Sequence, residues 1–142
     1  MNVDAIKNGI VIDHIHAGKG MDIYHFLNLE ALDTPVAMMM NVSSRAMGKK
    51  DIIKIDGELG LDLNVLGFID PDMTINIIQD EVRVRKYHPT LPERLYDVVR
   101  CKNPRCISMV EQELPQEFYL ADRSTQLYRC VYCDAKLSRQ EK

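Results

Sequence analysis

Four cysteines are the residues of this chain best suited to chemistry, and all four lie in its last third. Cys101 and Cys106 form a C-x4-C pair, and Cys130 and Cys133 form a C-x2-C pair 23 residues further on. Two close pairs separated by a loop of this size are typical of one tetrahedral zinc ion bound by four thiolates. The spacing therefore predicts a zinc site formed by Cys101, Cys106, Cys130 and Cys133.

Two disulfides, or four unrelated core thiols, are the alternatives to zinc. Each pair encloses a tight turn, at Asn103-Pro104 and at Val131-Tyr132, so both of its sulfurs can face one ion. The grouping of every cysteine into two spaced pairs favours the metal. Four sulfur ligands leave no position for water, so we expect one structural zinc ion per chain and no catalytic metal.

The composition is that of a globular chain of one domain or two small ones, with 46% hydrophobic and 27% charged residues among 142. No apolar run approaches the ~20 residues that span a bilayer, so no membrane partner is expected. The polar first nine residues show no secretory signal. We therefore expect a cytoplasmic protein, in a reducing compartment where paired cysteines hold metal more often than they form disulfides.

Charge divides unevenly along the chain. Residues 1–91 carry a net charge of −4, and residues 92–142 carry +1 before the metal site is counted. Four thiolates and one Zn2+ bring the second segment to −1. A zinc ribbon that binds nucleic acid normally has a basic surface, so no nucleic-acid partner is expected, and a nucleic-acid-associated zinc ribbon is kept as the alternative.

Motifs for catalysis are missing from the sequence. It contains no G-x-S-x-G elbow, no phosphate-binding P-loop and no H-E-x-x-H. His14 and His16 lie two apart on a predicted strand and could share a face, but no further metal ligand lies near them in sequence. If the cysteines bind zinc, none is left to act as a nucleophile. The sequence therefore predicts a protein that is not an enzyme, with no catalytic residues.

Hydrophobic periodicity predicts an α+β fold. The N-terminal part is expected to be a mainly antiparallel sheet packed with two helices, as in a ferredoxin-like sandwich, and the C-terminal part a small β-rich four-cysteine zinc domain. The predicted strands are 8–15, 36–42, 51–56, 74–79 and 82–87; the predicted helices are 22–31 and 61–69; residues 45–50 are predicted to form a basic turn.

A linker is predicted at His88–Pro92, where two prolines lie within four residues. It divides the chain into domains at residues 1–91 and 92–142. The second domain has only about fifty residues, a size at which an apolar core alone rarely suffices. A structural metal would supply roughly 10–16 kcal/mol of its folding free energy.

Several polar residues interrupt the apolar strands of the first domain. Asp13 and His14 lie in the first strand, Lys54 lies in the third, and Lys86 ends the last. Ammonium groups attract phosphate, and a carboxylate accepts hydrogen bonds from ribose hydroxyls, so this set could hold a nucleotide. Solvated lysines on half-exposed strands are the simpler alternative.

Longer blocks of sequence carry a resemblance. Val3-x-Ala5-Ile6-Lys7-x-Gly9-x-Val11-Ile12-Asp13-His14-Ile15 resembles the opening of the aspartate carbamoyltransferase regulatory chain. Four further blocks follow in the same order as in that family: Met47-Gly-Lys-Lys-Asp51-Ile-Ile-Lys54-Ile55, Thr74-x-Asn76, Pro89-x-Leu91-Pro92-Glu93 and the C-x4-C…C-x2-C pattern. The resemblance covers nearly the whole chain.

The resemblance implies a non-catalytic subunit in pyrimidine biosynthesis. Its first domain would bind CTP, ATP or UTP and pair with a second copy to form a regulatory dimer. Its zinc domain would dock onto the catalytic chain of aspartate carbamoyltransferase. Allosteric control then requires that the effector bind two states of the assembly unequally. A scaffold subunit with a degenerate nucleotide pocket is the alternative within the family.

The resemblance also assigns residues by position. Lys54 and Lys86 match phosphate-binding lysines, Asp13 matches a ribose ligand, and His14 lies near the phosphates. Ala5 and Ile6 match a segment whose backbone recognises the base. The full set of implied nucleotide-binding residues is Val3, Ala5, Ile6, Asp13, His14, Lys50, Lys54, Asn76 and Lys86.

Asn103 and Arg105 match the loop that faces the catalytic chain in the family. Two residues depart from the family pattern: Arg83 stands where a small apolar residue is expected near the base, and Glu81 where an aromatic one is expected. These departures leave open which nucleotide is preferred. They also leave open whether a second nucleotide binds with Mg2+.

Overall fold

The computed structural model of the chain describes residues 6–57 and 63–137. The chain divides into two compact units, residues 1–90 and 91–142, which are described separately. Within the described ranges, no helix is long and apolar enough to cross a membrane.

The first unit is built on a five-stranded antiparallel sheet in the order β2-β3-β1-β4-β5, so the first strand lies at its centre. Two short helices and two single 3-10 turns complete the described part of this unit. The elements are β1 Gly9–His16, α1 Gly20–Phe26, the turn Leu29–Ala31, β2 Val36–Ser44, β3 Gly48–Asp56, the turn Leu63–Val65, α2 Leu66–Ile69, β4 Thr74–Gln79 and β5 Val82–Tyr87.

The two faces of this sheet differ in chemistry. Side chains alternate between faces along a strand, and one set forms the core together with residues of both helices. The residues of this core that lose nearly all solvent contact include Ile10, Ile12, Ile53, Ile55 and Ile75 of the strands and Ile23, Leu66 and Phe68 of the helices. The alternate positions point to the opposite face, which carries the polar residues described below.

The α+β class with a mainly antiparallel sheet is confirmed, and β4 and β5 have the predicted bounds. The first helix is shorter than predicted: it ends at Phe26 because Asn28 adopts the left-handed conformation (φ 53°), and only a single 3-10 turn follows. The predicted turn at 45–50 is also too long. Gly48, with φ 78°, closes the turn, so Lys49 and Lys50 belong to β3.

One buried carboxylate ties three segments of the first unit together. Asp51 of β3 accepts hydrogen bonds from the backbone N–H groups of Gly18, Gly20 and Asn41 at 3.0–3.1 Å. Gly20 must be glycine-sized here, because a Cβ would lie 2.7 Å from an Asp51 carboxylate oxygen. The start of α1 and the middle of β2 are thereby fixed to β3.

The second unit contains a smaller antiparallel sheet in the order β6-β7-β8-β9 and one helical turn. Its described apolar side chains that are almost wholly buried are Leu95, Phe118, Tyr128 and Leu137, together with three of the cysteines. This is a small core for a unit of its length. The elements are β6 Arg94–Tyr96, α3 Ile107–Val110, β7 Glu117–Asp122, β8 Leu127–Cys130 and β9 Lys136–Leu137.

Candidate metal centre and ligand pocket

The four cysteine sulfurs of the second unit converge on one point. The Sγ atoms of Cys101 and Cys133 lie 3.6 Å apart, those of Cys106 and Cys130 also 3.6 Å apart, and all four lie within 4.8 Å of one another. A disulfide would require about 2 Å, so these are free thiols. Ligands 2.3 Å from a tetrahedral ion lie about 3.8 Å apart. The donor set therefore fits a tetrahedral metal ion.

Hydrogen bonds shape the turn of each cysteine pair. In the first, the Asn103 N–H points at the Cys101 sulfur (3.5 Å) and the Cys106 N–H donates to the Asn103 carbonyl (3.1 Å). In the second, the Asp134 N–H donates to the Cys130 carbonyl at 2.8 Å. These bonds orient the sulfurs of each pair toward the same point.

The thiols differ in acidity. Burial raises the pKa of Cys101 to about 12 and also raises the pKa of Cys130. Burial acts in the same direction on Cys106, but hydrogen bonds from the Ser108 hydroxyl and backbone outweigh it and lower the pKa of Cys106 to about 7. Four thiolates this close together need a counter-charge, and a divalent cation supplies it.

Ser108 and Gln116 support the centre and were not predicted from the sequence. The Ser108 hydroxyl lies 3.0 Å from the Cys106 sulfur and is buried. The Gln116 side chain accepts from the Cys101 N–H (2.8 Å) and donates to the Ser108 carbonyl (3.1 Å). Gln116 therefore joins the two ends of the first cysteine pair.

Replacing Ser108 by Ala is expected to lower metal affinity about 10- to 100-fold, because the Cys106 thiolate loses a hydrogen bond from its outer shell. Competition with a chromophoric chelator measures the change. Ser124→Ala is the matched control, since Ser124 lies on an exposed turn and bonds to Asp122, away from the cysteines. Equal affinities for the two variants would show that the Ser108 hydroxyl does not support the centre.

Asn103 and Arg105, predicted to face a catalytic chain, lie on the turn between the first two cysteines. The Asn103 side-chain oxygen accepts from the Arg105 N–H at 3.0 Å, which shapes the turn. Arg105 is exposed, and its guanidinium forms no ion pair within residues 6–57 and 63–137. Its charge is available to another molecule.

The polar face of the first unit carries two neighbouring cavities. The smaller, of about 250 Å3, is lined by Val11, Asp13, His14, Thr74, Asn76, Ile78, Arg83 and Lys86. The larger, of about 460 Å3, is lined by His14, His16, Ala46, Met47, Asp72, Thr74, Lys86 and His88. Because His14, Thr74 and Lys86 line both, the two cavities adjoin. Together they are called the ligand pocket below.

A row of four paired residues crosses the sheet at the ligand pocket. Lys54 of β3 pairs with Val11 of β1, which pairs with Asn76 of β4, which pairs with Lys86 of β5. Paired residues of adjacent strands project from the same face. The row therefore has an ammonium group on each side of Val11 and Asn76. The Asn76 amide donates to the Val11 carbonyl at 3.2 Å, which fixes its orientation.

Asp13 and His14 are brought to the pocket by a bulge in β1. Ile12 pairs with Ile53 and Ile15 with Asp51, so Asp13 and His14 together oppose one residue of β3. His14 has φ 58°, which is rare for a residue with a side chain. Its N–H donates to the Asp13 carboxylate at 2.6 Å.

Side-chain contacts fix the two residues of the bulge. Lys50 forms an ion pair with Asp13 at 3.0 Å, with both side chains largely shielded from solvent. The His14 Nδ1 atom lies 3.2 Å from the Thr74 hydroxyl. The Nδ1 edge of the ring is therefore engaged by protein.

Six of the residues that the resemblance assigned to a nucleotide lie on this one face: Asp13, His14, Lys50, Lys54, Asn76 and Lys86. Ile6 lies half-buried just before β1, close to Gly9. Val3 and Ala5 lie outside the described residues. Arg83, which the resemblance placed near the base without assigning it a binding role, lines the smaller cavity.

A second group of potential metal ligands surrounds His16. Its Nδ1 atom lies 2.9 Å from a buried Asp70 oxygen, and its Nε2 atom lies 3.7 Å from Asp72. The sequence alone does not reveal these ligands, because Asp70 and Asp72 follow α2 and are distant from His16 along the chain. The same Asp70 oxygen also accepts from the His16 N–H at 2.8 Å, so the group closes on itself through hydrogen bonds.

Comparison with known proteins identifies the family. A family model described as aspartate carbamoyltransferase regulatory chain, allosteric domain, matches residues 1–90. A second, described as aspartate carbamoyltransferase regulatory chain, metal binding domain, matches residues 93–142. The chain belongs to this family. It is a regulatory chain with an allosteric and a metal-binding domain, and so a non-catalytic subunit of an enzyme of pyrimidine biosynthesis.

Relatives within the family match over most of their length. The aspartate carbamoyltransferase regulatory chain of Clostridium botulinum (strain Hall) is 50% identical over 134 residues, which cover 94% of this chain and 92% of the relative. That of Clostridium tetani is 50% identical over 94% of each chain. That of Bifidobacterium longum is 40% identical over 94% of this chain and 96% of the relative.

Proposed function

We propose that this regulatory chain binds nucleoside triphosphates (CTP, ATP and UTP) in the ligand pocket and docks on the catalytic chain through its metal-binding domain. The bound nucleotide then controls aspartate carbamoyltransferase allosterically. The observation that carries the proposal is the convergence of Lys50, Lys54 and Lys86 with Asp13 on one open face of the sheet.

The charges of the ligand pocket suit a triphosphate joined to a sugar. Lys54 and Lys86 flank its middle, and each ammonium can donate up to three hydrogen bonds to phosphate oxygens. The Asp13 carboxylate accepts from Lys50 and the His14 N–H and retains lone pairs for a ribose hydroxyl. The base then lies toward the start of β1, where Ile6 precedes the strand.

A second nucleotide fits the larger cavity in this proposal. His14, Thr74 and Lys86 line both cavities, so the phosphates of two nucleotides would meet there. Two triphosphates at close range repel each other, and Mg2+ is the cation that commonly bridges phosphate oxygens. Mg2+ would therefore accompany the second nucleotide.

For the metal centre we assign one structural zinc ion per chain, held by Cys101, Cys106, Cys130 and Cys133. Thiolate ligands in tetrahedral array favour zinc over Mg2+ or Ca2+, which take oxygen ligands. All four positions are filled by sulfur, so the ion stabilises the second unit and leaves no place for a reactive water. The exposed turn with Asn103 and Arg105 is then held in shape against the catalytic chain.

Pairing of two regulatory chains is supported by β2. This strand lies at one edge of the sheet, with Met38 and Met39 half-buried and Met40 about half exposed. An apolar edge strand offers unpaired backbone groups and a surface that a second copy can cover. We propose that the regulatory dimer forms along this edge.

Mixing the zinc-loaded chain with the catalytic subunit is expected to give a larger assembly whose activity changes with CTP, ATP or UTP. Sedimentation measures the assembly and a carbamoyl-transfer assay the response, with the catalytic subunit alone as control. Failure to assemble would contradict the docking role. Assembly with unchanged activity would favour the scaffold alternative, and a clean shift of nucleic acid at low salt would favour the nucleic-acid one.

A further inference from the structure

A bulge in β5 turns Arg83 toward the ligand pocket. Regular alternation from Lys86 would place Arg83 on the opposite face of the sheet. Instead, Arg85 pairs with Ile77 and Arg83 pairs with Ile78, so Val84 is left over. The extra residue reverses the alternation, and Arg83 lines the same cavity as Lys86.

The end of the cavity beside Arg83 is apolar. Ile78 pairs with Gly9, so β1 has no side chain on the cavity face of the sheet at that position. A Cβ on Gly9 would lie 2.8 Å from the Ile6 side chain, so Ile6 covers this place. Val11 is the next residue on the same face of β1. A planar apolar ring fits this surface better than a phosphate does.

The other end of the cavity is polar. Asp13 and Thr74 pair across β1 and β4, two residues beyond the row formed by Val11 and Asn76. Ile78 lies two residues from Asn76 in the opposite direction, and so four residues from Thr74. Two residues along a strand span about 7 Å, so the two ends of the cavity lie about 13–14 Å apart. A nucleotide laid along β4 with its base beside Arg83 would therefore have its ribose and phosphates toward Lys54, Lys86 and Asp13.

The Arg83 guanidinium is free to contact a ligand. It forms no ion pair within the described ranges, whereas Arg85 on the opposite face lies 4.2 Å from the centre of the Tyr87 ring. A guanidinium is planar and stacks on aromatic rings, which an ammonium cannot do in the same way.

We infer that Arg83 stacks on the base of the bound effector and strengthens purine binding more than pyrimidine binding. This inference rests on the proposed nucleotide site. The larger purine ring offers the guanidinium more area than a pyrimidine does. Arg83 is thus a specificity-determining residue of the pocket, with a role separate from that of the phosphate-binding lysines.

Calorimetric titration of the full zinc-loaded chain tests the inference, with ATP, CTP and inorganic tripolyphosphate as probes. Arg83→Val is expected to weaken ATP binding about tenfold, which corresponds to about 1.4 kcal/mol, and CTP binding less. Arg85→Val is the matched control, because it removes the same charge from the other face of β5. Tripolyphosphate should bind the Arg83→Val and Arg85→Val chains equally. Arg83→Lys should lose most of the ATP affinity that Arg83→Val loses, because lysine keeps the positive charge but lacks the planar guanidinium.

Other results would overturn the inference. Equal losses for ATP, CTP and tripolyphosphate in Arg83→Val would mean that Arg83 binds phosphate. Full ATP affinity in Arg83→Lys would mean that charge alone matters. If Arg83→Val and Arg85→Val bound ATP equally well, only the inference would fail. If the unaltered chain bound no nucleotide, the proposed function would fail with it.

Discussion

Cys130→Ser is expected to abolish metal binding and to unfold the second unit. Cys130 is buried at the end of β8, and its sulfur lies 3.6 Å from that of Cys106. A serine hydroxyl remains protonated at neutral pH and does not replace a thiolate ligand. Binding of a structural zinc ion supplies about 10–16 kcal/mol in small zinc modules, more than the small core of this unit can replace.

The result is measured in three ways. Metal analysis should fall from about one zinc per chain to none, amide NMR signals of residues 91–137 should lose dispersion, and the chain should fail to join the catalytic subunit. A thiol-reactive mercurial should release zinc and detach the unaltered chain in the same way.

Tyr132→Phe is the matched control for the loss of Cys130. It changes the same turn and removes a hydroxyl that donates to the Pro115 carbonyl, but it spares every ligand. This variant should keep its metal and its assembly. A Cys130→Ser chain that retained one zinc and still joined the catalytic subunit would show that the metal does not hold this unit in shape.

Lys54→Ala and Lys86→Ala are each expected to weaken CTP binding about ten- to hundredfold while leaving assembly intact. The two residues lie on either side of the ligand pocket, and a hydrogen bond to a charged group contributes about 1.5–3 kcal/mol. Titration calorimetry at fixed ionic strength measures the affinity, since salt screens these charges.

Lys49→Ala provides the comparison for both lysine variants. Lys49 is exposed and neighbours Lys50 in β3, so its side chain projects from the other face of the sheet. The Lys49→Ala substitution removes the same charge from the chain without changing a residue of the ligand pocket. If all three variants bound CTP with the same affinity, Lys54 and Lys86 would not be phosphate ligands.

Much of the fold follows from local sequence. The β4–β5 hairpin was predicted with its correct bounds because Asp80-Glu81 separates two runs rich in Val, Ile, Thr and Tyr, and both residues adopt positive φ in the turn. The helix after β1 was predicted too long because its apolar spacing continues past Asn28. The left-handed conformation of that single residue ends the helix, and periodicity does not report it.

The ligand pocket shows a different limit. Asp13, Lys54, Asn76 and Lys86 fall on one face because strand alternation and register place them there. The bulge in β5 breaks the alternation, so Arg83 could not be assigned to a face by counting residues. A bulge depends on how two strands pair, and a single strand's sequence does not contain that information.

The metal centre, too, could be predicted from the sequence only in part. The spacing of the cysteines was enough to predict their convergence, because each pair is local and only the loop between them had to close. Ser108 and Gln116 have no comparable signal. Gln116 lies just before β7 and bonds to the backbones of Cys101 and Ser108, which lie well before it in sequence, so its role depends on tertiary structure.

The central position of β1 affects how the chain folds as it is synthesised. Ribosomes make this strand before the other four of its sheet, yet Ile12 pairs with Ile53 and Ile75, which emerge much later. Contacts so distant in sequence form slowly because a long loop must close before they are made. Until then, the apolar run of β1 is exposed to chaperones and to neighbouring nascent chains. The strand that forms the floor of the ligand pocket is thus the first of its sheet to be made and among the last to find its partners.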